Sequence, residues 1–134
     1  MNIDRIDLYH VSMPLVSSFA TSFGSQLQRD CLIVALHADG LTGWGECVAT
    51  NDPGYSYETV HTAWHILSDF LIPALLRQPV DEPEELAPRF AFVRGHPLAK
   101  AALEQAVWDL TAQRDGLSLA QKLAQPYAQG PRAR

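Results

Sequence analysis

Apolar residues recur at helical spacing most persistently in the stretch Pro97–Leu123. Ala99, Ala102, Leu103, Ala106, Val107 and Leu110 fall on one broad face at steps of three and four, with Lys100, Glu104, Gln105, Gln113 and Arg114 mostly elsewhere. Pro97 suits a first turn and Gly116 a C-terminal cap. The alanines let another backbone come close, so the spacing predicts a tightly packed central helix. A second helix is predicted from Val60 to about Leu71, where Val60, Ala63, Trp64, Leu67, Phe70 and Leu71 repeat at the same steps. Ser56 is its expected cap, Glu58 lies near the positive end of its dipole, and Pro73 is expected to kink or end it. A weaker helix over Pro83–Val93 carries the narrow stripe Leu86, Phe90 and Val93, and Ser118 opens a last short one to Leu123.

The N-terminal half follows the two-residue period instead. Ile3, Ile6, Leu8 and Val11 alternate with polar residues and predict a strand that ends at Met13-Pro14-Leu15. Asp30–His37 and Leu41–Val48 flank the turn Ala38-Asp39-Gly40 and predict a hairpin. Gly43 and Gly45 on either side of Trp44 weaken a strand unless a bulge or a close backbone approach requires them. The segments Val16–Arg29 and Ala49–Tyr57 read as loops. The expected fold class is therefore α+β, a three-stranded antiparallel β-meander followed by a bundle of three to four helices.

The 134 residues, 47% hydrophobic and 19% charged, suit one globular domain with a modest core. A net charge of −5 with scattered Lys and Arg argues against a nucleic-acid partner. No apolar run approaches the length of a membrane span or a signal peptide, so the expectation is a cytoplasmic protein with no membrane partner. Cys31 and Cys47 lack zinc-site spacing and read as free thiols.

Candidate chemistry is sparse. Glu46 has no second acid near it in sequence and reads as a hydrogen-bonding or ion-pairing residue ahead of a base. Glu104 and Asp109 do not share a helix face. His61 and His65 stand at i and i+4 but lack a third metal ligand in context. Lys100 and Lys122, the two lysines, lie in no recognisable reactive pocket, and no phosphate-binding or nucleophile-elbow motif is present. The aromatics of the two loops, Phe19, Phe23 and Tyr55, either clamp a ligand or fold back on the core, and composition does not decide between these.

Four segments in order, Phe19–Gly24 (FATSFG), Gly43–Val48 (GWGECV), Phe70–Leu75 (FLIPAL) and Ala99–Leu119 (AKAALEQAVWDLTAQRDGLSL), resemble the N-terminal capping domain of the enolase superfamily. Within it they are most similar to the o-succinylbenzoate synthase and N-acylamino acid racemase group of the muconate lactonizing branch. The resemblance covers about Ile3 to Leu123 and implies a capping domain over residues 1–124, with 125–134 expected to form a disordered tail. It further implies that a full-length member carries a (β/α) barrel in which carboxylates hold Mg²⁺ or another divalent metal and lysines move a proton α to a carboxylate. Neither the barrel nor those groups lie within these 134 residues, so no catalytic residue, metal ligand or cofactor is expected here. The implied substrate-facing residues are Phe19, Phe23, Thr50 and Tyr55, on two loops that close over the barrel mouth. One departure stands out: the stretch Ser118–Gln125 lacks the family's glycine pair and has Lys122 in an apolar position.

The expectation is thus an isolated or truncated specificity cap, inactive alone, whose barrel-facing surface meets a barrel domain or a second copy. The alternatives are a stand-alone module that binds small carboxylates and a remnant without function.

Overall fold

The structure, a computed structural model, describes residues 1–22 and 24–128. Strands β1 (Arg5–Thr21), β2 (Gly24–Ala38) and β3 (Leu41–Cys47) form one antiparallel sheet in the order β1-β2-β3. They are followed by α1 (Val60–Ile66), a π-helical turn over Leu67–Leu71, α2 (Ile72–Leu76), a 3₁₀ turn over Pro83–Glu85, α3 (Leu86–Arg89), α4 (Pro97–Arg114) and α5 (Leu119–Ala128). This is the expected meander followed by helices.

Register explains which sheet face is buried. Ile6 pairs with Leu36, and Leu8 pairs with Val34, which pairs in turn with Gly45. The side chains of Leu32, Val34 and Leu36 therefore share one face and are wholly buried against the helices. Burial of each contributes roughly 1.5–3 kcal/mol. The two residues of the β2–β3 turn, Asp39 and Gly40, both have positive φ (52° and 76°), which matches the twist of the flanking strands.

Central helix α4 lies directly on β3. A Cβ added at Gly43 would fall far inside van der Waals contact with the carbonyl oxygen of Ala106, and one at Gly45 would do the same with Ala102. The two glycines are thus the close-approach glycines that the sequence suggested, and the alanine stripe is their counterpart. From the same helix, a row of polar side chains satisfies the outer edge of β3. Asp109 accepts the Trp44 N–H at 2.9 Å, Gln105 accepts that of Glu46 at 3.2 Å, and Gln113 donates to the Thr42 carbonyl at 2.8 Å. An edge strand is thereby closed to further pairing.

Four local expectations are corrected. Val16–Arg29 is not a loop: β1 runs past Pro14 to Thr21 and β2 starts at Gly24, so the first two strands form one long hairpin. Pro14 is tolerated because β1 is an edge strand, and the register shift between Pro14 and Phe19 sets residues 15–18 against Leu27 alone, a large bulge. The cap of α1 is Thr59, not Ser56. Thr59 and Thr62 exchange hydrogen bonds in a capping box, while Ser56 Oγ accepts the Glu58 N–H at 3.2 Å. Of the two outcomes expected at Pro73, a kink or an end, the end does not occur. In the π turn before it, the Ile72 N–H bonds the Leu67 carbonyl, a local rewinding that absorbs the proline and lets α2 continue to Leu76. The weak helix expected over Pro83–Val93 is only the 3₁₀ turn and α3, although Leu86, Phe90 and Val93 are all buried as their spacing suggested.

The end of the chain follows the sequence more closely. Gly116, at φ 68°, terminates α4, and the Leu117 N–H reaches back to the Ala112 carbonyl at 2.9 Å. Ser118 and Gln121 form a capping box that opens α5. This helix reaches Ala128, into the stretch expected to be a tail, and residues 129–134 lie outside the described residues.

Candidate functional site

Where the hairpin tip meets the segment after β3, the chain encloses an open cavity of about 570 Å³. Phe19 and Gln26 come from the hairpin, Thr50 and Tyr55 from the segment after β3, and Leu98 from the first turn of α4. Three of the four residues expected to face a substrate are therefore brought to one place. The fourth, Phe23, lies outside the described residues.

Exposure excludes a core position for the two described aromatics. Phe19 is 59% and Tyr55 83% exposed, so neither ring belongs to the core. The Thr50 hydroxyl donates to the Asp52 carbonyl at 2.8 Å and its own carbonyl accepts the Val60 N–H at 2.9 Å, which fixes the loop to the start of α1. Farther along, the Tyr57 hydroxyl accepts the N–H of His96, a residue in the left-handed region at φ 55°, at 3.2 Å. Both ends of the segment are tied down, and its middle faces the cavity.

Arg29 was not singled out by sequence reasoning, yet it lines this cavity and two neighbouring ones. One of these is a polar recess of about 200 Å³ next to Asp30 and Asn51; the other is a shallow space of about 520 Å³ under the bulge of residues 15–18. Its guanidinium donates to the Val48 carbonyl at 3.3 Å. Next to it, Asp30 accepts from Asn51 Nδ2 at 2.6 Å and meets His10 Nε2 at 3.1 Å, joining β1, β2 and the loop after β3. A sequence signal existed only in part: Arg29 is the one cation between Pro14 and Ala49 apart from His37.

Other candidate groups take structural places. Glu46 neighbours Cys31, whose thiol is pushed up first by burial and then by that carboxylate. Cys47 is buried more deeply and is pushed up to about 11, mainly by desolvation. His65 pairs with Asp69 at 2.8 Å rather than with His61. Among the described residues, no three His, Cys, Asp or Glu side chains converge as metal ligands, so the donor set for a divalent ion does not fit here. No helix among them is long and apolar enough to cross a membrane.

Residues 5–124 match the family described as mandelate racemase / muconate lactonizing enzyme, N-terminal domain. The o-succinylbenzoate synthase of Geobacillus stearothermophilus is 48% identical over 124 residues, which is 92% of this chain and 33% of that relative. An N-succinylamino acid racemase of Amycolatopsis is 40% identical over 123 residues, with the same two shares. Among solved structures, an enolase-superfamily member from Listeria innocua superimposes with a TM-score of 0.87 at 35% identity, covering 92% of this chain and 33% of its own. The substrate-liganded L-Ala-D/L-Glu epimerase of Bacillus subtilis does so with 0.83 at 30%, covering 92% and 34%. The chain thus spans about a third of the length of the curated relatives it matches. The chain belongs to the mandelate racemase / muconate lactonizing enzyme N-terminal domain family of the enolase superfamily.

Proposed function

We propose that these residues act as the substrate-selecting cap of an enzyme of the o-succinylbenzoate synthase / N-succinylamino acid racemase type. The observation that carries this reading is the meeting of Phe19, Thr50 and Tyr55, from two separate segments, around one open cavity. Exposed aromatic rings offer a large apolar area for few torsions to freeze, which suits contact with the body of a small acyl compound. A substrate of this kind is a carboxylate whose α-proton is removed. The likeness to those enzymes, of which this chain covers about a third, assigns the base and the divalent metal for that step to a barrel domain. Within this reading the cap occupies residues 1–124 and works against a barrel domain. A second copy of the chain is the alternative partner. The free thiols Cys31 and Cys47 suit a cytoplasmic setting.

What the chain contributes is binding, orientation and exclusion of water at the cavity, with no step of proton transfer of its own. Chemical-shift mapping of the isotope-labelled chain with an N-succinylamino acid tests this. The reading expects the amides of Phe19, Thr50 and Tyr55 to shift in a saturable way while those of α4 beyond its first turn stay still. Shifts confined to another face would contradict it.

A further inference from the structure

Of the arginines among the described residues, Arg29 and Arg89 are half-buried by neighbouring chain. Arg89 is fully occupied: it pairs with Glu85 at 3.5 Å and donates to the carbonyls of Leu75, Gln78 and Pro79. Arg29 differs. The one hydrogen bond of its side chain to a described residue is the 3.3 Å contact with the Val48 carbonyl, and no described carboxylate lies within ion-pair distance. The acids nearest to it in the cavity walls are otherwise engaged. Asp30 is held by His10 and Asn51, and Asp52 Oδ1 accepts the Gly54 N–H at 3.0 Å. A guanidinium that is partly desolvated yet unpaired is poised for an anion, and its planar fork matches a carboxylate.

We propose that Arg29 is a specificity-determining residue that reads a carboxylate on the end of the ligand away from the reacting carbon. Its place supports this, since three cavities converge on its side chain and the apolar surfaces of Phe19 and Val48 lie beside it. The ligand it selects has an apolar or amide body that lies against Phe19 and Tyr55 and ends in a carboxylate at Arg29. This assignment rests on the cap reading given above, which it deepens by naming the chemistry that the cavity prefers.

The test is a titration of the isotope-labelled 134-residue chain with succinate, with the neutral diamide succinamide and with sodium chloride at matched ionic strength, following the Arg29 side-chain N–H resonance in the parent chain and the backbone amides of Phe19 and Val48 in the parent and every variant. A saturable shift with succinate alone is expected, weakened by about tenfold or more in R29Q and partly restored in R29K, which keeps the charge without the fork. The α4 amide pattern of each variant confirms its fold. An equal response to chloride or succinamide, or an unchanged succinate affinity in folded R29Q, would overturn the assignment. The two readings fail separately. If an N-succinylamino acid moves Phe19 and Tyr55 but leaves Arg29 still, only the assignment of Arg29 falls; if it moves neither aromatic residue, the cap reading falls.

Discussion

The buried carboxylate of Glu58 accepts the backbone N–H of Leu98 at 2.8 Å, so a side chain from the segment before α1 closes the N-terminus of α4. Its other oxygen accepts the Ala99 N–H at 3.0 Å. His96, the residue in the capping position of α4, is in the left-handed region and offers no side-chain acceptor, so Glu58 takes over that role from a distance. The contact stabilises the central helix, and it holds Leu98 where the residue lines the cavity.

Replacing Glu58 by alanine is expected to lower stability by about 2 kcal/mol, because two helix-end donors and their dipole lose a charged acceptor in a water-free site. E58Q keeps an acceptor oxygen and is expected to lose less. Urea unfolding followed by circular dichroism measures both. A midpoint for E58A equal to that of the parent chain would contradict the capping role.

Packing of α4 on β3 makes a sharper prediction. G45A places a methyl group against the Ala102 carbonyl, where only backbone can yield, and is expected to cost about 3 kcal/mol, as is G43A at Ala106. G40A meets nothing within 4 Å and loses only the glycine freedom at φ 76°, about 1 kcal/mol. The ordering of the three midpoints is the check, and a G45A variant no weaker than G40A would refute the close approach.

The docking of α5 is expected to depend on pH at both extremes. Lys122, only 8% exposed, donates to Asp115 at 2.6 Å and meets Glu82 at 3.4 Å. The hydrogen bond from Lys122, and after it that from Arg114, holds the Asp115 carboxyl below its ordinary 3.8. Its stabilising contribution is therefore full above that value and is lost as pH falls through the lower, folded one. The bond to Asp115 raises Lys122 above its ordinary 10.5 against an opposing desolvation. That contribution is full below 10.5 and is lost as pH rises through the folded value. Helical circular dichroism should be flat between these limits, and K122A should weaken both limbs. Identical limbs in the variant would show that this cluster does not anchor α5.

Both thiols are expected to be inert in the folded chain. Burial raises Cys31 and takes Cys47 to about 11, so alkylation at pH 8 should be slow for each and fast after denaturation. Rapid labelling of Cys47 in the native protein would mean that the core under β3 opens readily.

Much of this fold is legible from local patterning, and the failures share a cause. Pro97 and Gly116 mark α4 because helix ends are set by residues adjacent in sequence, and the Gly43–Gly45 pair announces a close approach because glycine inside a strand requires one. What stays hidden depends on partners far along the chain. The polar stretch Val16–Arg29 is held as a hairpin by pairing across the turn, although its composition reads as loop. Glu58 looks like a first-turn acid for α1 until α4, forty residues later, supplies the donors. Pro73 reads as a kink or an end, and the continuation to Leu76 stays hidden because the π turn that accommodates the proline has no sequence signature. The same division holds at the cavity. Phe19 and Tyr55 stand out already as loop aromatics and Thr50 only through the family resemblance, whereas Arg29 becomes visible only once its lack of a described acid partner can be set against Arg89.

The central claim, that this chain supplies recognition while the proton-abstracting base lies in a barrel domain, is tested most directly by α-proton exchange. The purified chain is incubated with magnesium ion and an N-succinylamino acid in deuterium oxide, and the α-hydrogen signal is followed by NMR. The account predicts no exchange beyond a magnesium-only control while the Phe19, Thr50 and Tyr55 amides report binding. Exchange above that control would mean that a base within these residues does the chemistry, and the assignment of this chain as a cap would be wrong.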